Sequence, residues 1–376
     1  MGDGEASEFR QFRIRLRRRW IALRNAVIGS PSFQGHAARN PFLRPVARRR
    51  SAALFDLVAG FAYTQILRAT VEAGLIDLLA RGPIATKDIA AACEMQVDAA
   101  QRLLRSAQAL ELVEDVGDEC WMLGEQGAAL HANPGAQAMI RHHALLYRDL
   151  AEPLELLRNR PVGPTHLSRF WDYANPAIDA GEYSALMASS QEMVADQVIV
   201  SGVLKHFDTI LDVGGGLGVF AGKVLAQYPD KRVGIFDLPE VLSKGSREAE
   251  VDSAAGHLAL HPGNFFTDPL PAAYQCITLV RILHDHDDDK AIALLRAVHA
   301  ALPPGGTLVI AEPMAGVAGA ERMGEAYFGL YLWAMQSGRP RRTDEIGTMI
   351  EQAGFRSWRK LGTNLPVITS LIVAIA

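Results

Sequence analysis

Apolar residues recur at three- and four-residue spacing through the first half of the chain, and gather into short unbroken runs through the second. From Ser51 to about Leu79, "SAALFDLVAGFAYTQILRATVEAGLIDLLA" predicts helix. The following "GPIATKDIAAACEMQVDAAQRLLRSAQALELVEDVGDECWMLGEQGAAL" reads as helix, turn, helix and a two-stranded wing around Gly117. Thr86 is expected to cap a helix over Asp88 to Ala92, and Val97 to Leu110 form the next. Residues 131 to about 200 predict further helices, with "NRPVGP" as a loop. After Phe207 the pattern switches. "TILDVG", "RVGIFDL", "CITLVRIL" and "TLVIAEP" alternate with helical stretches, as in an open parallel sheet with helices on both faces. "FRSWRKLGT" and "ITSLIVAIA" lie so close together that only a hairpin can join them, so this α/β sheet should end in an antiparallel pair.

At 376 residues the chain exceeds what one hydrophobic core usually organises. Three segments are expected: an arm over 1–50, a helical winged-helix domain over 51–200, and an α/β domain over 201–376. Charge sharpens the first boundary. The net charge is only −4, yet Met1 to Arg50 hold twelve arginines, no lysine and three acids. The basic character is therefore local. Within "FRQFRIRLRRRWIALRNAVI", Phe9, Phe12, Leu16, Ile21 and Leu23 lie among seven arginines, with Trp20 beside them. That composition suits a basic amphipathic helix on an anionic membrane surface, but equally a solvated arm, a packing helix with charged flanks, or a nucleic-acid arm. The prolines of "SPSF" and "NPFLRP" predict that the arm continues in extended segments across a neighbour.

A winged helix that reads DNA needs a recognition helix rich in base-reading side chains. Here Gln96, Gln101, Arg102 and Arg105 surround Asp98, a thin basic surface. A scaffold or dimerisation module is the expectation, with no nucleic-acid partner. Cys93, Cys120 and Cys276 lie far apart without CxxC or Cys/His spacing, so neither metal site nor disulfide is predicted and a reducing cytoplasm is the simplest setting. No apolar run approaches the roughly 18 residues that span a bilayer, and no secretory leader is recognisable. Phe170, Trp171, Tyr173, Tyr183, Met187 and Met193 form a cluster that reads as core or as the wall of an apolar ligand pocket.

The candidate chemistry begins at "LDVGGGLGVF", Leu211 to Phe220. A glycine loop between strand and helix lets a cofactor approach bare backbone, at the carboxyl ends of the strands where open α/β sheets bind ligands. Val219 stands where a dinucleotide fingerprint needs a small residue, and no Gly-Lys-Ser/Thr follows as a P-loop would require. Asp237, at the end of "VGIFDL", is placed to accept both hydroxyls of a ribose. "GNFF", Gly263 to Phe266, offers an amide and an aromatic face for an adenine. A nucleoside without a phosphate-binding lysine points to S-adenosylmethionine.

"LDVGGGLG", "FDLP", "GNFF", "DPLP", "RILHDHDDD", "LPPGGTLVIAEP" and "GRPRRTDEIGTMIEQAGF", in this order behind a winged helix, resemble the S-adenosylmethionine-dependent O-methyltransferases of the plant-type and bacterial small-molecule family. The first part, "RWIALRNAVIGSPSFQGHAARNPFLRPVARRRSAALFDLVAGFAYTQIL", is similar to the carotenoid 1-hydroxy methyltransferases of phototrophic bacteria. The resemblance implies a Rossmann-like methyltransferase sheet, a helical dimerisation domain, a homodimer and S-adenosylmethionine as cofactor. It also implies an acceptor with a tertiary 1-hydroxyl on an acyclic carotenoid of the hydroxyneurosporene or demethylspheroidene type. A soluble phenolic or polyketide hydroxyl is the alternative acceptor. The expected location is cytoplasmic, with peripheral contact to the inner or photosynthetic membrane through the arm.

The family's cofactor positions fall on Asp212, Gly214, Gly216, Asp237, Asn264 and Phe265. Val280 stands where plant relatives have lysine, with Arg281 beside it as the candidate substitute. His284 matches the catalytic base, a role histidine suits near neutral pH. His286 is the weaker candidate, and the acids after it are read as caps of the next helix. Glu312 matches an acid that orients the base. The position of a second such acid falls on Arg341, so either Glu312 or Asp285 orients the base alone, or the base is less important here. No metal ligand is expected. A regulator with a vestigial cofactor fold, or a non-catalytic cofactor sensor, are the readings from other classes.

Overall fold

The structure is a computed structural model that describes residues 3–158, 163–171, 180–244 and 256–376. Seven strands form the main sheet: β4 (Thr209–Val213), β5 (Arg232–Asp237), β6 (Leu258–Pro262), β7 (Cys276–Val280), β8 (Thr307–Glu312), β9 (Ser357–Leu361) and β10 (Ser370–Ile375). Their order is β6-β5-β4-β7-β8-β10-β9. The first five are parallel, and β10 runs antiparallel to both β8 and β9. The terminal hairpin is present, but its second strand inserts between β8 and the first.

β7 and β8 are buried at every position. That is why they read as continuous apolar runs and not as an alternation: both faces of a parallel sheet carry helices. On one face Leu211, Ile277, Leu279, Leu308 and Ile310 pack with Leu294, Leu295, Ile346 and Ile350 of the helices Asp288–Ala301 and Thr343–Gln352. On the other, Ile210, Cys276, Val280 and Val309 meet Phe220 and Val224 of Val219–Gln227, and Val194 and Val198 of Ala180–Val200. Strand order reverses between β4 and β7, so the loops after these two strands flank the crevice of the sheet.

The winged helix has its own core of Leu75, Leu79, Ile89, Leu104, Ala107 and Trp121. Its helices are Thr86–Ala92 and Val97–Gln108, and its small sheet has the order β1-β3-β2, with β1 at Ile84–Ala85 and the wing formed by β2 (Val113–Gly117) and β3 (Cys120–Leu123). Thr86 does not cap its helix. It is the first helical residue, and its hydroxyl donates to Glu119 O (3.0 Å) and accepts from Trp121 Nε1 (2.9 Å), tying helix to wing.

The N-terminal region departs from the expected extended segments. Helices cover Asp3–Ile28, Pro31–Arg39 and Arg44–Glu72, the last running through residue 50. Pro31 and Pro45 stand in the first turns of their helices, where a missing N–H costs nothing and a fixed φ favours the start. Along the first helix the exposed apolar stripe is Phe9, Phe12, Leu16, Trp20, Leu23 and Val27, spaced by three and four residues. Trp20 is thus part of the stripe, whereas Ile21 lies off it and is half-buried. Among the described residues no helix is long and apolar enough to cross a membrane.

Residues 159–162 of "NRPVGP", Tyr173, and the side chain of Tyr183 lie outside the described residues. Trp171 packs with Leu146, Leu167, Tyr331 and Leu332, and Phe170 and Met187 lie against this third cluster.

Candidate active site

The glycine loop leaves β4 with Gly214 at φ +73°, where the side chain of Ile282 approaches so closely that a Cβ has no room. Gly216, at φ +58°, has open space where a Cβ would point. Its N–H donates to Asp237 Oδ2 (2.8 Å), while Leu238 N–H donates to Oδ1 (2.7 Å). Asp237 therefore faces the loop from the end of the neighbouring strand, with lone pairs left for further donors. Burial pushes its carboxyl upward against these two hydrogen bonds.

Asp212 is fully buried beneath the loop. Its Oδ1 accepts from Thr278 Oγ1 (2.7 Å), and its Oδ2 is the single buried side-chain polar atom without a partner among the described residues. Burial raises its pKa to about 7, with the Thr278 hydrogen bond opposing. Phe265 stands across Gly214, with Cε1 3.9 Å from where a Cβ would lie. The Asn264 side-chain oxygen is turned to Phe266 N (2.9 Å) in a local turn, and Asn264 N donates to Asp268 Oδ2 (2.8 Å). An orphaned carboxylate oxygen, an uncrowded glycine and a carboxylate with spare lone pairs fit a nucleoside with a cationic tail.

Across the crevice, "RILHDHDDD" leaves β7 through a single 3₁₀ turn, Leu283–Asp285. Arg281, at φ +60°, donates from its guanidinium to Ser190 Oγ (2.7 Å) and Met187 Sδ (3.7 Å) of the helix Ala180–Val200. His284 is buried between two carboxylates. Nδ1 bonds Glu312, whose other oxygen accepts from Ile282 N (2.9 Å) and Leu283 N (2.7 Å). Nε2 lies 3.2 Å from Asp285 Oδ1. The question of which acid attends the imidazole is thus answered nitrogen by nitrogen: Glu312 on Nδ1, Asp285 on Nε2. Burial disfavours the charged imidazole, yet the two carboxylates outweigh it and hold the pKa above the usual histidine range, with Arg281 opposing.

His286 points elsewhere. Its ring packs edge-on against Phe265 (5.7 Å) and Phe266 (4.9 Å), and burial, then the charge of His284, lowers its pKa to about 4. The acids that follow stand at the positive end of the next helix as expected, Asp287 as its N-cap residue and Asp288 and Asp289 in its first turn, though no side-chain cap bond forms. Asp287 Oδ1 accepts from Gly338 N (3.1 Å), and Asp288 takes Arg339 and Arg341.

Several residues beside His284 were not singled out in the sequence. Phe328 lies edge-on to His284 (5.6 Å), and Tyr327 and Tyr331 pack against Phe328. The Tyr331 hydroxyl accepts from Trp171 Nε1 (2.9 Å) and pairs with His142 Nε2 (2.8 Å), while His143 Nε2 pairs with the Tyr327 hydroxyl (2.8 Å). Burial, then the charge of His143, lowers the pKa of His142 to about 4, so it is a neutral wall residue at physiological pH. The adjacent histidines of "RHHALLY" in an apolar helix were the available clue. Their tyrosine partners stand more than a hundred and eighty residues away.

A glycine loop with two carboxylates thus lies on one side of the switch point and a packed aromatic cluster on the other, with the buried His284 against both Glu312 and Phe328. The chain belongs to the O-methyltransferase family. The model of the O-methyltransferase domain matches residues 147–356, and that of the O-methyltransferase dimerisation domain matches 55–132. Demethylspheroidene O-methyltransferase of Rhodobacter capsulatus is 42% identical over 89% of this chain and 85% of its own length. The protein of that name from Cereibacter sphaeroides is 38% identical over 93% of each. Among solved structures, human N-acetylserotonin methyltransferase in complex with SAM superposes with a TM-score of 0.72 over 87% of this chain and 97% of its own, at 24% identity, a likeness of fold.

Proposed function

We propose that this chain transfers a methyl group from S-adenosylmethionine to the tertiary 1-hydroxyl of an acyclic hydroxycarotenoid, with His284 as general base. The observation that carries the reading is His284, buried between Glu312 and the ring of Phe328 at the carboxyl end of β7, in a chain 38–42% identical to two demethylspheroidene O-methyltransferases. The cofactor supplies a methyl on a sulfonium, open to in-line displacement. Asp212, Gly214, Gly216, Asp237, Asn264 and Phe265 hold it, and Arg281 belongs instead to the wall toward the helix Ala180–Val200.

Glu312 fixes the tautomer. With Nδ1–H donated to its carboxylate, Nε2 of the neutral ring carries the lone pair that accepts the hydroxyl proton. Asp285, beside Nε2, then stabilises the imidazolium. A positioned base contributes about 10²–10⁴-fold, and orientation of the reactants up to about 7–11 kcal/mol. A tertiary alcohol is a weak acid, so alignment of the reactants contributes the larger share and His284 removes the proton as the new bond forms.

The protein acts as a homodimer, and Phe55, Leu57, Val58 and Phe61, exposed within the segment matched by the dimerisation domain, form the apolar face offered to a second copy. The arm docks on an anionic bilayer. Its stripe from Phe9 to Val27 runs among seven arginines with no acid between residues 9 and 28, and each arginine near such a surface contributes about 1 kcal/mol.

Labelled S-adenosylmethionine supplied with a panel of acyclic hydroxycarotenoids and soluble phenols tests the assignment. A labelled methoxycarotenoid is the expected product. Labelled anisoles with no carotenoid product would transfer the reading to a soluble acceptor, and no product from either would leave a cofactor-binding protein.

A further inference from the structure

The 3₁₀ turn that carries His284 is too short to hold its own shape. Its internal bonds, Asp285 N to Ile282 O and His286 N to Leu283 O, are both 3.3 Å. The four consecutive carbonyls from Leu283 to His286 are instead all taken by one distant segment, Ser337–Arg341. Leu283 O accepts from Arg341 Nη1 (2.7 Å) and His284 O from Arg339 N (3.0 Å). Asp285 O accepts from Ser337 Oγ (2.6 Å) and His286 O from Arg341 Nη2 (2.6 Å). Gly338, at φ +75°, lies so close to the His284 carbonyl that no side chain fits there.

We propose that Arg341 is a positioning residue for the base, fixing the turn of His284 by gripping the carbonyls on either side of it. This rests on the reading of His284 as the base. Arg341 is only 2% exposed, and its charge is met by Asp288, which accepts from Nε (2.9 Å) and Nη2 (2.7 Å). One planar guanidinium thus serves two carbonyls and a carboxylate, a fan of donors that lysine does not possess. An acid at this position would hold the imidazole; the arginine holds the backbone beneath it.

The experiment is a double-mutant cycle on kcat, using whichever acceptor the full-length enzyme methylates: wild type, Arg341→Gln, His284→Ala and the pair, with binding of S-adenosylhomocysteine and the melting temperature recorded for each. A shift of about 1 Å at a reacting group costs on the order of 100-fold, so Arg341→Gln should lower kcat about 10- to 100-fold while product-analogue affinity stays at the wild-type value. In the His284→Ala background the same substitution should have no further effect. An equal fractional loss in both backgrounds, or unchanged kcat in Arg341→Gln, overturns the proposal. Should Arg341→Gln fail to fold, Arg341→Lys, which keeps the partner of Asp288 and loses the second carbonyl, gives the same comparison. Normal turnover of His284→Ala would instead refute the base assignment, an outcome distinct from additivity in the cycle.

Discussion

The crevice after β4 and β7 and the arm before residue 50 treat their polar groups in opposite ways. In the crevice Asp212, His284, Glu312 and Arg341 are buried and, Asp212 Oδ2 apart, answered: Glu312 accepts two backbone N–H groups and the imidazole, and Arg341 reaches two carbonyls and Asp288. In the arm, arginines and apolar side chains alike face solvent, Phe9 at 64% and Trp20 at 63% exposure. Buried charges are tolerable only when paired, so a site of this kind is fixed by its network. An exposed apolar stripe between arginines has no such internal completion.

The comparison breaks hardest at the base. His284→Ala should lower kcat about 10²–10⁴-fold while leaving S-adenosylmethionine affinity intact, measured by single-turnover kinetics beside calorimetry. Near-normal turnover would remove His284 from the mechanism. Asp237→Ala should act on the other step. Hydrogen bonds to a charged group contribute about 1.5–3 kcal/mol, so the cofactor Kd should weaken at least about tenfold before kcat at saturation changes.

A finer test uses pH. A base must be neutral to act, so kcat should rise with pH through the pKa of His284, which its carboxylates hold above the ordinary value of about 6.5. Glu312→Gln removes one of those carboxylates and should move this acid limb to lower pH. A limb that stays in place would mean that it reports another group. The smallest effect on catalysis is expected from the arm. Deleting residues 1–24 should leave turnover of detergent-dispersed acceptor unchanged, yet reduce sedimentation with phosphatidylglycerol vesicles, most clearly at low salt. Equal sedimentation with and without the arm would leave the stripe without a lipid role.

The strands and the glycine loop were legible because their signals are local. An apolar run buried on both faces, a G-x-G after it and an acid at the end of the next strand each lie within a few residues. The proline-flanked segments misled for a related reason: proline is compatible with a helix start as well as with a break, and the residues alone do not choose between them. His284 and Glu312 were identified through resemblance, and the fold places them with Asp237 around one crevice. His142, His143, Tyr327 and Tyr331 were not identified, since each is unremarkable until helices far apart in sequence meet.

The chain by itself determined the strands and helices of the second half, the basic arm and the glycine loop beside an acid, all consequences of residue type and near-neighbour spacing. Tertiary structure alone decided which nitrogen of His284 meets which acid, which groups Arg281 contacts, and that Arg341 bonds the carbonyls of the turn that carries His284. Those outcomes depend on hydrogen-bond geometry between segments dozens of residues apart, which only the packed sheet and its loops bring within 3 Å.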